Sequence, residues 1–314
     1  MDKKPFFIMM IGLPGSGKSE RAKHIAEKYN MNIHSSDAIR EEISPDGYNP
    51  ELNDQVFTIL HNRIKEDLKN GKSCIYDACN ISYKRRRHFL SQLKNIDCHK
   101  VCELIATPYE VCLEQNTARK AVVPDKVIEN MYRSFDIPGY YEGWDNICIH
   151  YNDESYETFY GKSEDFITDT LLFEQENKFH KDTLGMHCVK CALNASKFIK
   201  DLPEKLDFES EIRYASLIHD CGKPFCKTFV NMKGETTDNA HYYNHERVGS
   251  YNSLFYDVGD ADKHYMSLLI RWHMIMHAIY TEYSPKLEKK YANLLGKEMF
   301  DDLYLLYKSD SMAH

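Results

Sequence analysis

Apolar residues in the first half of the chain follow two alternating periods, which predict strands and helices in turn. Helix-like spacing occurs over residues 18–29 and 82–94, between Leu52 and Leu68, and in segments that begin at Pro108 and Pro124. Runs of strand length lie between these segments, at residues 6–11, 31–36, 73–78, 101–106 and 147–151. This alternation predicts βαβ units around a parallel sheet flanked by helices, which is an α/β fold.

The pattern changes near residue 152. A polar stretch rich in tyrosine and acidic residues runs to about residue 175, and helical patterns without a convincing strand follow it. We therefore predict an α/β domain over residues 1–152, a linker over residues 153–175 and an all-α domain over residues 176–314. Nine of the 15 histidines lie after residue 151.

Composition narrows the class of protein. A hydrophobic content of 42% and a charged content of 28% are ordinary for globular proteins and exclude disordered, collagenous and membrane-spanning chains. The net charge is −8, and the first 150 residues hold 21 basic and 21 acidic residues against 19 and 27 in the rest. This charge balance argues against a broad basic surface that binds along a nucleic acid. It does not exclude a narrow site that binds the end of a polynucleotide chain.

Ten cysteines are scattered through the predicted elements. The apolar run at residues 6–11 is too short for a signal peptide, so we expect reduced thiols, no membrane association and a cytoplasmic protein. A homo-oligomer is compatible with the sequence.

A phosphate-binding loop follows the first predicted strand. The segment Gly12-Leu13-Pro14-Gly15-Ser16-Gly17-Lys18-Ser19 fits the pattern G-x-x-x-x-G-K-[ST] between an apolar strand and an amphipathic helix. Glycines at 12, 15 and 17, with Ser16, allow backbone N–H groups to surround a phosphate chain, and the helix N-terminus adds positive potential. Lys18 is expected to reach the β- and γ-phosphates of ATP or another nucleoside triphosphate, and Ser19 to ligate Mg²⁺.

Three polar residues follow the neighbouring strands. Asp37 and Arg40 come after the second strand. At this position a base such as Asp37 would contact the acceptor hydroxyl, and a cation such as Arg40 would bind a phosphate. A helix N-cap is the structural alternative for Asp37. Asp77 ends the third strand, where it either holds a Mg²⁺-bound water or orients Ser19.

Histidines and aspartates in the second half form a candidate metal site. His219 and Asp220 end an apolar helix. His187 lies upstream of them, and the downstream candidates are His241, His245, His273, His277 and Asp310. Such a mixed nitrogen and oxygen set suits Mn²⁺, Fe, Co²⁺, Ni²⁺ or Zn²⁺ better than Mg²⁺. A zinc site built from Cys188, Cys191, Cys221 and Cys226 is a less favoured alternative.

Residues 5–151 resemble the kinase module of T4-type polynucleotide 5′-kinases. The resemblance rests on the loop at 12–19 and on the segments Ser36–Arg40, Tyr76–Asn80 and Asn116–Pro124. It implies that Lys18 and Ser19 bind ATP·Mg²⁺, Asp37 is the general base, Arg40 holds the phosphate and Arg119 reaches the donor phosphates from a lid.

Some positions depart from that family's pattern. Cys79 stands where a threonine is usual, and Lys120 follows Arg119 where related lids carry a second arginine nearby, a charge that Arg133 is a candidate to supply. The run Lys84-Arg85-Arg86-Arg87-His88 is either a solvated helix face or a patch for a polynucleotide backbone.

Residues 175–314 resemble the HD phosphohydrolase superfamily. The resemblance rests on His187, on His219-Asp220-x-Gly222-Lys223, on His245 and His273, and on Asp310 in a final helix. It implies that His187, His219, Asp220 and Asp310 are the core metal ligands, that His245 and His273 complete a second metal position, and that Lys223 binds phosphate. The implied chemistry is attack of a metal-activated hydroxide on a phosphate ester.

Together the two halves resemble HD-Pnk end-healing enzymes with the domain order reversed. That resemblance implies a 5′-kinase and a 2′,3′-cyclic phosphodiesterase or 2′- or 3′-phosphatase acting on RNA or DNA ends, with a separate ligase as partner. Two alternatives remain open at this point: a nucleoside-like small-molecule kinase fused to a nucleotide phosphohydrolase, and an ATP-switched HD phosphodiesterase.

Overall fold

The chain folds into two units. The computed structural model describes residues 4–45, 49–119, 121–178, 181–203 and 205–313. Unit 1 comprises Met1–Met131 and Pro138–Glu154, and unit 2 comprises Tyr132–Ile137 and Ser155–His314. Lys120, which departs from the family pattern, and His314, a further histidine of the second half, lie outside the described residues.

Unit 1 is built on a parallel sheet. Its strands are β1 (Phe6–Ile11), β2 (Asn32–Ser35), β3 (Cys74–Asp77), β4 (His99–Ala106) and β5 (Asn146–Tyr151). Its helices are α1 (Lys18–Tyr29), α2 (Ser36–Ile43), α3 (Asn53–Lys69), α4 (Tyr83–Gln92), α5 (Tyr109–Thr117) and α6 (Asp125–Arg133), the last of which ends in unit 2, and short 3₁₀ turns lie at Pro50–Leu52 and Tyr140–Glu142. The strand order is β2-β3-β1-β4-β5, and every pairing is parallel.

The predicted α/β architecture of the first half is confirmed. β1 lies at the centre of the sheet, and Phe7, Met10 and Ile11 in it are fully buried, which is why the strand reads as one continuous apolar run. Ser35, the last residue of β2, pairs with Asp77, the last residue of β3. Because parallel strands end at the same edge, the residues that follow β1, β2 and β3 share one crevice.

Unit 2 is mostly helical. Its helices are α7 (Ser163–Thr170), α8 (Leu184–Lys200), α9 (Glu209–Ile218), α10 (Lys223–Cys226), α11 (His245–Asn252), α12 (Lys263–Tyr280), α13 (Pro285–Leu295) and α14 (Lys297–Ser311), with 3₁₀ turns at Glu154–Thr158 and Ser253–Phe255. The all-α prediction is incomplete, because β6 (Thr228–Val230) and β7 (Thr236–His241) form an antiparallel hairpin. Their residues are too polar and the strands too short for apolar periodicity to reveal them. None of the described helices is long and apolar enough to span a bilayer.

Residues 155–175 of the segment predicted to be a linker are part of unit 2. Residues 163–170 form α7, with Phe166 at 5% exposure, and Gln175 at the end of the segment is 1% exposed. Residues 132–137 also belong to unit 2, where Phe135 is fully buried with its ring centroid 4.7 Å from that of Tyr251. Composition alone did not reveal these segments, because each buries only a few side chains among many polar ones.

Candidate functional site

The phosphate-binding loop connects β1 to α1 and is shaped by its glycines. Gly15 has φ +83°, and a Cβ there would lie 2.2 Å from the carbonyl oxygen of Cys112. Gly17, with φ +86°, caps the N-terminus of α1. The carbonyl of Ser16 accepts hydrogen bonds from Thr107 Oγ1 at 3.1 Å and Asn152 Nδ2 at 2.6 Å. These contacts fix the loop from outside, which favours inward-facing backbone N–H groups for an anion.

Lys18 and Ser19 lie at the start of α1. Lys18 Nζ donates to the carbonyl of Leu13 at 2.6 Å, so the lysine is folded over the loop. Ser19 Oγ donates to Asp77 Oδ2 at 2.9 Å. Burial raises the pKa of the Asp77 carboxyl, while Ser19 and Lys18 oppose the shift. A buried carboxylate beside a hydroxyl is a suitable holder for a hydrated Mg²⁺ ion.

Asp37 lies in the first turn of α2 with two arginines around its carboxylate. Arg40 Nη1 lies 2.9 Å from Oδ1, and Arg119 Nη2 lies 3.3 Å from Oδ2. The N-cap alternative for Asp37 is wrong, because Ser35 is the N-cap and its side chain accepts from the backbone N–H of Asp37. The side chain of Asp37 is 67% exposed, so its carboxylate is accessible to an acceptor molecule.

The basic run in α4 is interrupted by a buried arginine. Arg86 is 1% exposed and forms two hydrogen bonds with Glu142, at 2.7 Å from Nε and 2.6 Å from Nη2. It also donates to the carbonyl of Asn80 at 2.9 Å. Arg86 is therefore a structural residue, and Arg85 and Arg87 are exposed on either side of it.

The structure does not support Arg133 as a second lid arginine. Its Nη2 donates to the carbonyl of Phe225 at 3.1 Å, and its guanidinium lies 4.6 Å from the centroid of the Phe225 ring. Both residues belong to unit 2.

Asp220 lies at the centre of the histidine–aspartate site of unit 2. This site comprises His187, His219, Asp220, His245, His273 and Asp310. Asp220 Oδ2 lies 3.2 Å from His219 Nε2 and 3.6 Å from His187 Nε2. Its Oδ1 lies 3.2 Å from His245 Nε2 and 4.0 Å from His273 Nε2. The two oxygens of one carboxylate thus face two different histidine pairs, the arrangement that a bridging ligand adopts between two metal positions.

Asp310 of α14 forms a donor set with His187 and His219. Its Oδ1 lies 3.0 Å from His187 Nε2 and 3.7 Å from His219 Nε2. Its Oδ2 lies 2.6 Å from Nε2 of His277, which the sequence analysis named without assigning it as a ligand. His277 thereby orients a ligand carboxylate from outside the set.

Backbone carbonyls orient three of the imidazole rings. Nδ1 of His219, His245 and His273 lies 3.1, 2.8 and 2.7 Å from the carbonyl oxygens of Ser216, Tyr242 and Ile270, respectively. A carbonyl only accepts, so each Nδ1 carries the proton and each Nε2 faces the interior of the site.

Charge balance keeps both aspartates ionised. Burial favours the neutral acid at Asp220, but His219 and Lys223 outweigh it and hold the pKa well below its ordinary value. Burial favours the neutral ring at His219, but Asp220 and Asp310 raise the pKa of that ring to about 9. At His273, burial and the neighbouring His245 lower the pKa, which favours a neutral ring.

Gln175 and Cys188 lie at this site, although the sequence analysis did not assign either of them to it. Lys223 Nζ lies 2.7 Å from Asp220 Oδ2 and donates to Gln175 Oε1 at 2.8 Å. Gln175 was placed in a linker, so nothing in its local pattern indicated this role. Cys188 is the second such residue, because its Sγ shares a three-donor group with His219 and Asp220.

Two other sequence-based interpretations find no support at this site. Among the residues that the structure describes, the four-cysteine group proposed as an alternative zinc site does not converge. His241 lies in the hairpin, where it stacks on Tyr243 at 5.2 Å and contacts Thr237.

The donor set fits divalent metal ions. His187, His219 and Asp310 form one buried three-donor group, and Asp220, His245 and His273 form another, with donor atoms in each group within 4.8 Å of one another. The buried Nε2 of His219 makes no hydrogen bond within the described part of the chain. Imidazole and carboxylate donors of this kind suit Mn²⁺, Fe, Co²⁺, Ni²⁺ or Zn²⁺.

Part of the chain is similar to a known family and to known proteins. A family model described as an AAA domain matches residues 7–138. An L-seryl-tRNA(Sec) kinase from Methanococcus maripaludis is 32% identical over 145 residues, which is 44% of this chain and 55% of that protein. An adenylate kinase from Buchnera aphidicola subsp. Schizaphis graminum is 32% identical over 136 residues, which is 40% of this chain and 62% of that protein. The chain therefore spans less than two thirds of the length of these two relatives.

Two solved structures have similar parts. A putative kinase from Chloroflexus aurantiacus aligns with a TM-score of 0.41 at 16% identity, over 48% of this chain and 90% of that one. A chain of the Pnkp1/Rnl/Hen1 RNA repair complex aligns with a TM-score of 0.36 at 20% identity, over 42% of this chain and 44% of that one. The loop geometry, the parallel sheet and the sequence relatives agree, and residues 7–138 are thus a P-loop domain of the kinase type.

Proposed function

We propose that unit 1 is an ATP-dependent polynucleotide 5′-hydroxyl kinase and that unit 2 is a metal-dependent phosphohydrolase acting on 2′,3′-cyclic, 2′- or 3′-phosphate ends. The observation that supports the kinase most directly is the Asp37 carboxylate between Arg40 and Arg119, in the crevice that also holds the phosphate loop. The arrangement of Asp220 between two histidine pairs supports the hydrolase. In this proposal the protein is a cytoplasmic RNA-repair enzyme that leaves sealing to a separate ligase.

The kinase reaction needs a base and a set of cations. Asp37 accepts the proton of the acceptor hydroxyl as the bond from that oxygen to the γ-phosphorus forms and the bond to the β-phosphate oxygen breaks. Lys18 and Arg119 offset charge on the donor phosphates, and Arg40 binds a phosphate beside the reacting hydroxyl. Mg²⁺, when bound near Ser19 and Asp77, supplies Lewis-acid stabilisation of the donor phosphates.

The hydrolase reaction depends on the histidine–aspartate site. Bound metal ions supply a nucleophilic hydroxide and Lewis-acid stabilisation. Asp220 and the histidines hold their carboxylate oxygens and Nε2 atoms towards two adjacent metal positions, and Lys223 neutralises charge on the phosphate. Hydrolysis adds the water oxygen to phosphorus and breaks one ester P–O bond, so inorganic phosphate or an opened phosphomonoester is the product.

The small-molecule alternative is favoured by one specific observation. Arg86 is buried against Glu142, which removes the central charge of the basic run that would contact a polynucleotide backbone. The named relatives differ in acceptor, since one name specifies seryl-tRNA and the other adenylate. The acceptor must therefore be determined by assay.

The decisive experiment supplies ATP, Mg²⁺ or Mn²⁺, and RNA and DNA oligonucleotides with defined 5′-hydroxyl and 2′,3′-cyclic phosphate ends, with nucleosides as competing acceptors. We expect 5′ phosphorylation of oligonucleotides, and a reduction of kcat by roughly 10²-fold or more in Asp37→Asn, because the base is lost. Release of the cyclic end should be unchanged in that variant.

Glu41→Gln is the matched control, since it removes an exposed carboxylate one turn further along α2. Phosphorylation of nucleosides but never of oligonucleotides would replace the polynucleotide assignment by the small-molecule one. Full activity of Asp37→Asn would remove Asp37 as the base.

A further inference from the structure

Helix α8 places a buried thiol beside the histidine–aspartate site. Cys188 follows His187 in α8, and its side chain is fully buried. Its Sγ, one nitrogen of His219 and one carboxylate oxygen of Asp220 lie within 4.8 Å of one another. The nitrogen and oxygen ligands described above leave Cys188 without a role.

A second observation points to a ligand at this position. His219 is 1% exposed, and its Nε2 makes no hydrogen bond to any described residue. Its Nδ1 lies 3.1 Å from the carbonyl of Ser216, so Nε2 is the nitrogen that remains for coordination. Asp220 Oδ2 lies 3.2 Å from this Nε2, so the two atoms face each other as donors for one cation.

We propose that Cys188, His219 and Asp220 form a subsite for a thiophilic divalent cation such as Zn²⁺ or Cd²⁺. Thiolate sulfur favours these ions, whereas the set of His187, His219 and Asp310 holds only nitrogen and oxygen donors and suits Mn²⁺ or Fe²⁺. Coordination replaces the S–H bond by a sulfur–metal bond, and the proton passes to solvent without any change of oxidation state.

The geometry requires a small adjustment. Donors on a tetrahedral Zn²⁺ with bonds of about 2.0–2.3 Å lie roughly 3.5 Å apart. A donor group spread over at most 4.8 Å therefore closes with movements of about 1 Å, which a rotation of the Cys188 side chain supplies.

The subsite shares ligands with the set proposed for catalysis. His219 and Asp220 serve both, so a thiophilic ion bound through Cys188 competes with Mn²⁺ bound through His187 and Asp310. The inference rests on the metal-binding part of the proposed function and not on the reaction catalysed. It predicts that Zn²⁺ or Cd²⁺ displaces Mn²⁺ and inhibits the hydrolase.

The test uses the metal-free full-length chain titrated with Cd²⁺, and it follows sulfur-to-metal charge-transfer absorption and competition with a chromophoric chelator. The wild-type protein should develop the absorption with one equivalent of Cd²⁺. Cys188→Ser should not develop it, and its Cd²⁺ affinity should fall by at least the roughly 10- to 100-fold that loss of an outer-shell partner costs.

Cys191→Ser is the matched control. Cys191 lies three residues further along α8, is equally buried, and belongs to none of the donor groups formed by the described residues. This variant should retain both the absorption and the Cd²⁺ affinity. Mn²⁺ binding followed by electron paramagnetic resonance should change by less than twofold in both variants.

The outcomes separate this inference from the proposed function. Absence of the absorption in the wild-type protein, or its persistence in Cys188→Ser, would overturn the thiol subsite whatever the Mn²⁺ result. If the wild-type protein binds Cd²⁺ with the absorption but never binds Mn²⁺, the thiol subsite stands and the proposed nitrogen and oxygen site fails. If Cys188→Ser does not fold, the wild-type and Cys191→Ser spectra decide.

Discussion

The two units hold their candidate sites by different means. In unit 1 the backbone conformation of the glycines determines the shape of the phosphate-binding loop. The charged groups around the loop, such as Asp37 and Arg119, are partly exposed. In unit 2 the ligand side chains of the histidine–aspartate site are at most 8% exposed. The first site depends on φ angles that only glycine adopts easily, and the second on charges that neutralise one another in the interior. Substitutions in the phosphate-binding loop should therefore act through conformation, and substitutions in the histidine–aspartate site through electrostatics.

Arg86→Ala should have the largest effect on stability, and it tests whether a buried charge in unit 1 is structural. The side chains of Arg86 and Glu142 are both 0% exposed, so removal of the arginine leaves a buried carboxylate unpaired. We expect a loss of about 3–5 kcal/mol in the free energy of unfolding, measured by chemical denaturation.

Arg87→Ala is the control for that change, because Arg87 is the exposed neighbour in α4. It should alter stability by less than about 0.5 kcal/mol. Equal effects of the two variants would contradict the structural assignment of Arg86.

Gly15→Ala should have the next largest effect. The left-handed conformation costs an alanine about 1–2 kcal/mol, and contact of the new Cβ with the Cys112 carbonyl adds about 1–3 kcal/mol. ATP affinity, measured by calorimetry, should fall strongly because the loop changes shape. Gly71→Ala has a similar φ of +71° without a neighbour within 4 Å, so it should cost only the conformational part and leave ATP binding intact. Normal ATP binding by Gly15→Ala would break the proposed contrast between the units.

Asp302→Asn should have the smallest effect and should depend on pH. Burial raises the pKa of Asp302 to about 6, helped by the acids Glu298, Asp301 and Asp207. Because the folded-state pKa lies above the unfolded value, stability is present at low pH and is lost as the pH rises through about 6. Denaturation at pH 5 and pH 8 should show Asp302→Asn gaining about 1–2 kcal/mol relative to the wild-type protein at the higher pH. A relative gain at pH 5 instead would contradict this sign.

The sequence predicted the first unit closely because its elements have strong local signals. The strand at residues 6–11 and the helix at residues 18–29 were predicted with the bounds that the structure has. The pairing of Ser19 with Asp77 was also one of two alternatives derived from strand order. A full P-loop motif fixes strand, turn and helix within one short segment, so little tertiary information is needed.

The second unit was harder to predict because its contacts are distant in the chain. Gln175 and Lys223 are 48 residues apart, and no periodicity links an amide in a polar stretch to a lysine at a helix start. Cys188 was considered only with other cysteines, because spacing patterns group like residues. Its neighbours at the site are a histidine and an aspartate about 30 positions away, which only the packing of α8 against α9 brings near.

The assignment of Tyr132–Ile137 to unit 2 determines how the protein can be divided for laboratory work. A gene fragment ending at residue 152 would produce unit 1 with Phe135, an aromatic residue normally in contact with Tyr251, and Asp136, normally paired with Arg271. A fragment starting at residue 153 would lack these same residues and would leave the guanidinium of Arg271 without that carboxylate. Expression of unit 2 alone therefore requires a copy of Tyr132–Ile137 fused to it. Expression of unit 1 alone requires polar substitutions in the same six-residue segment.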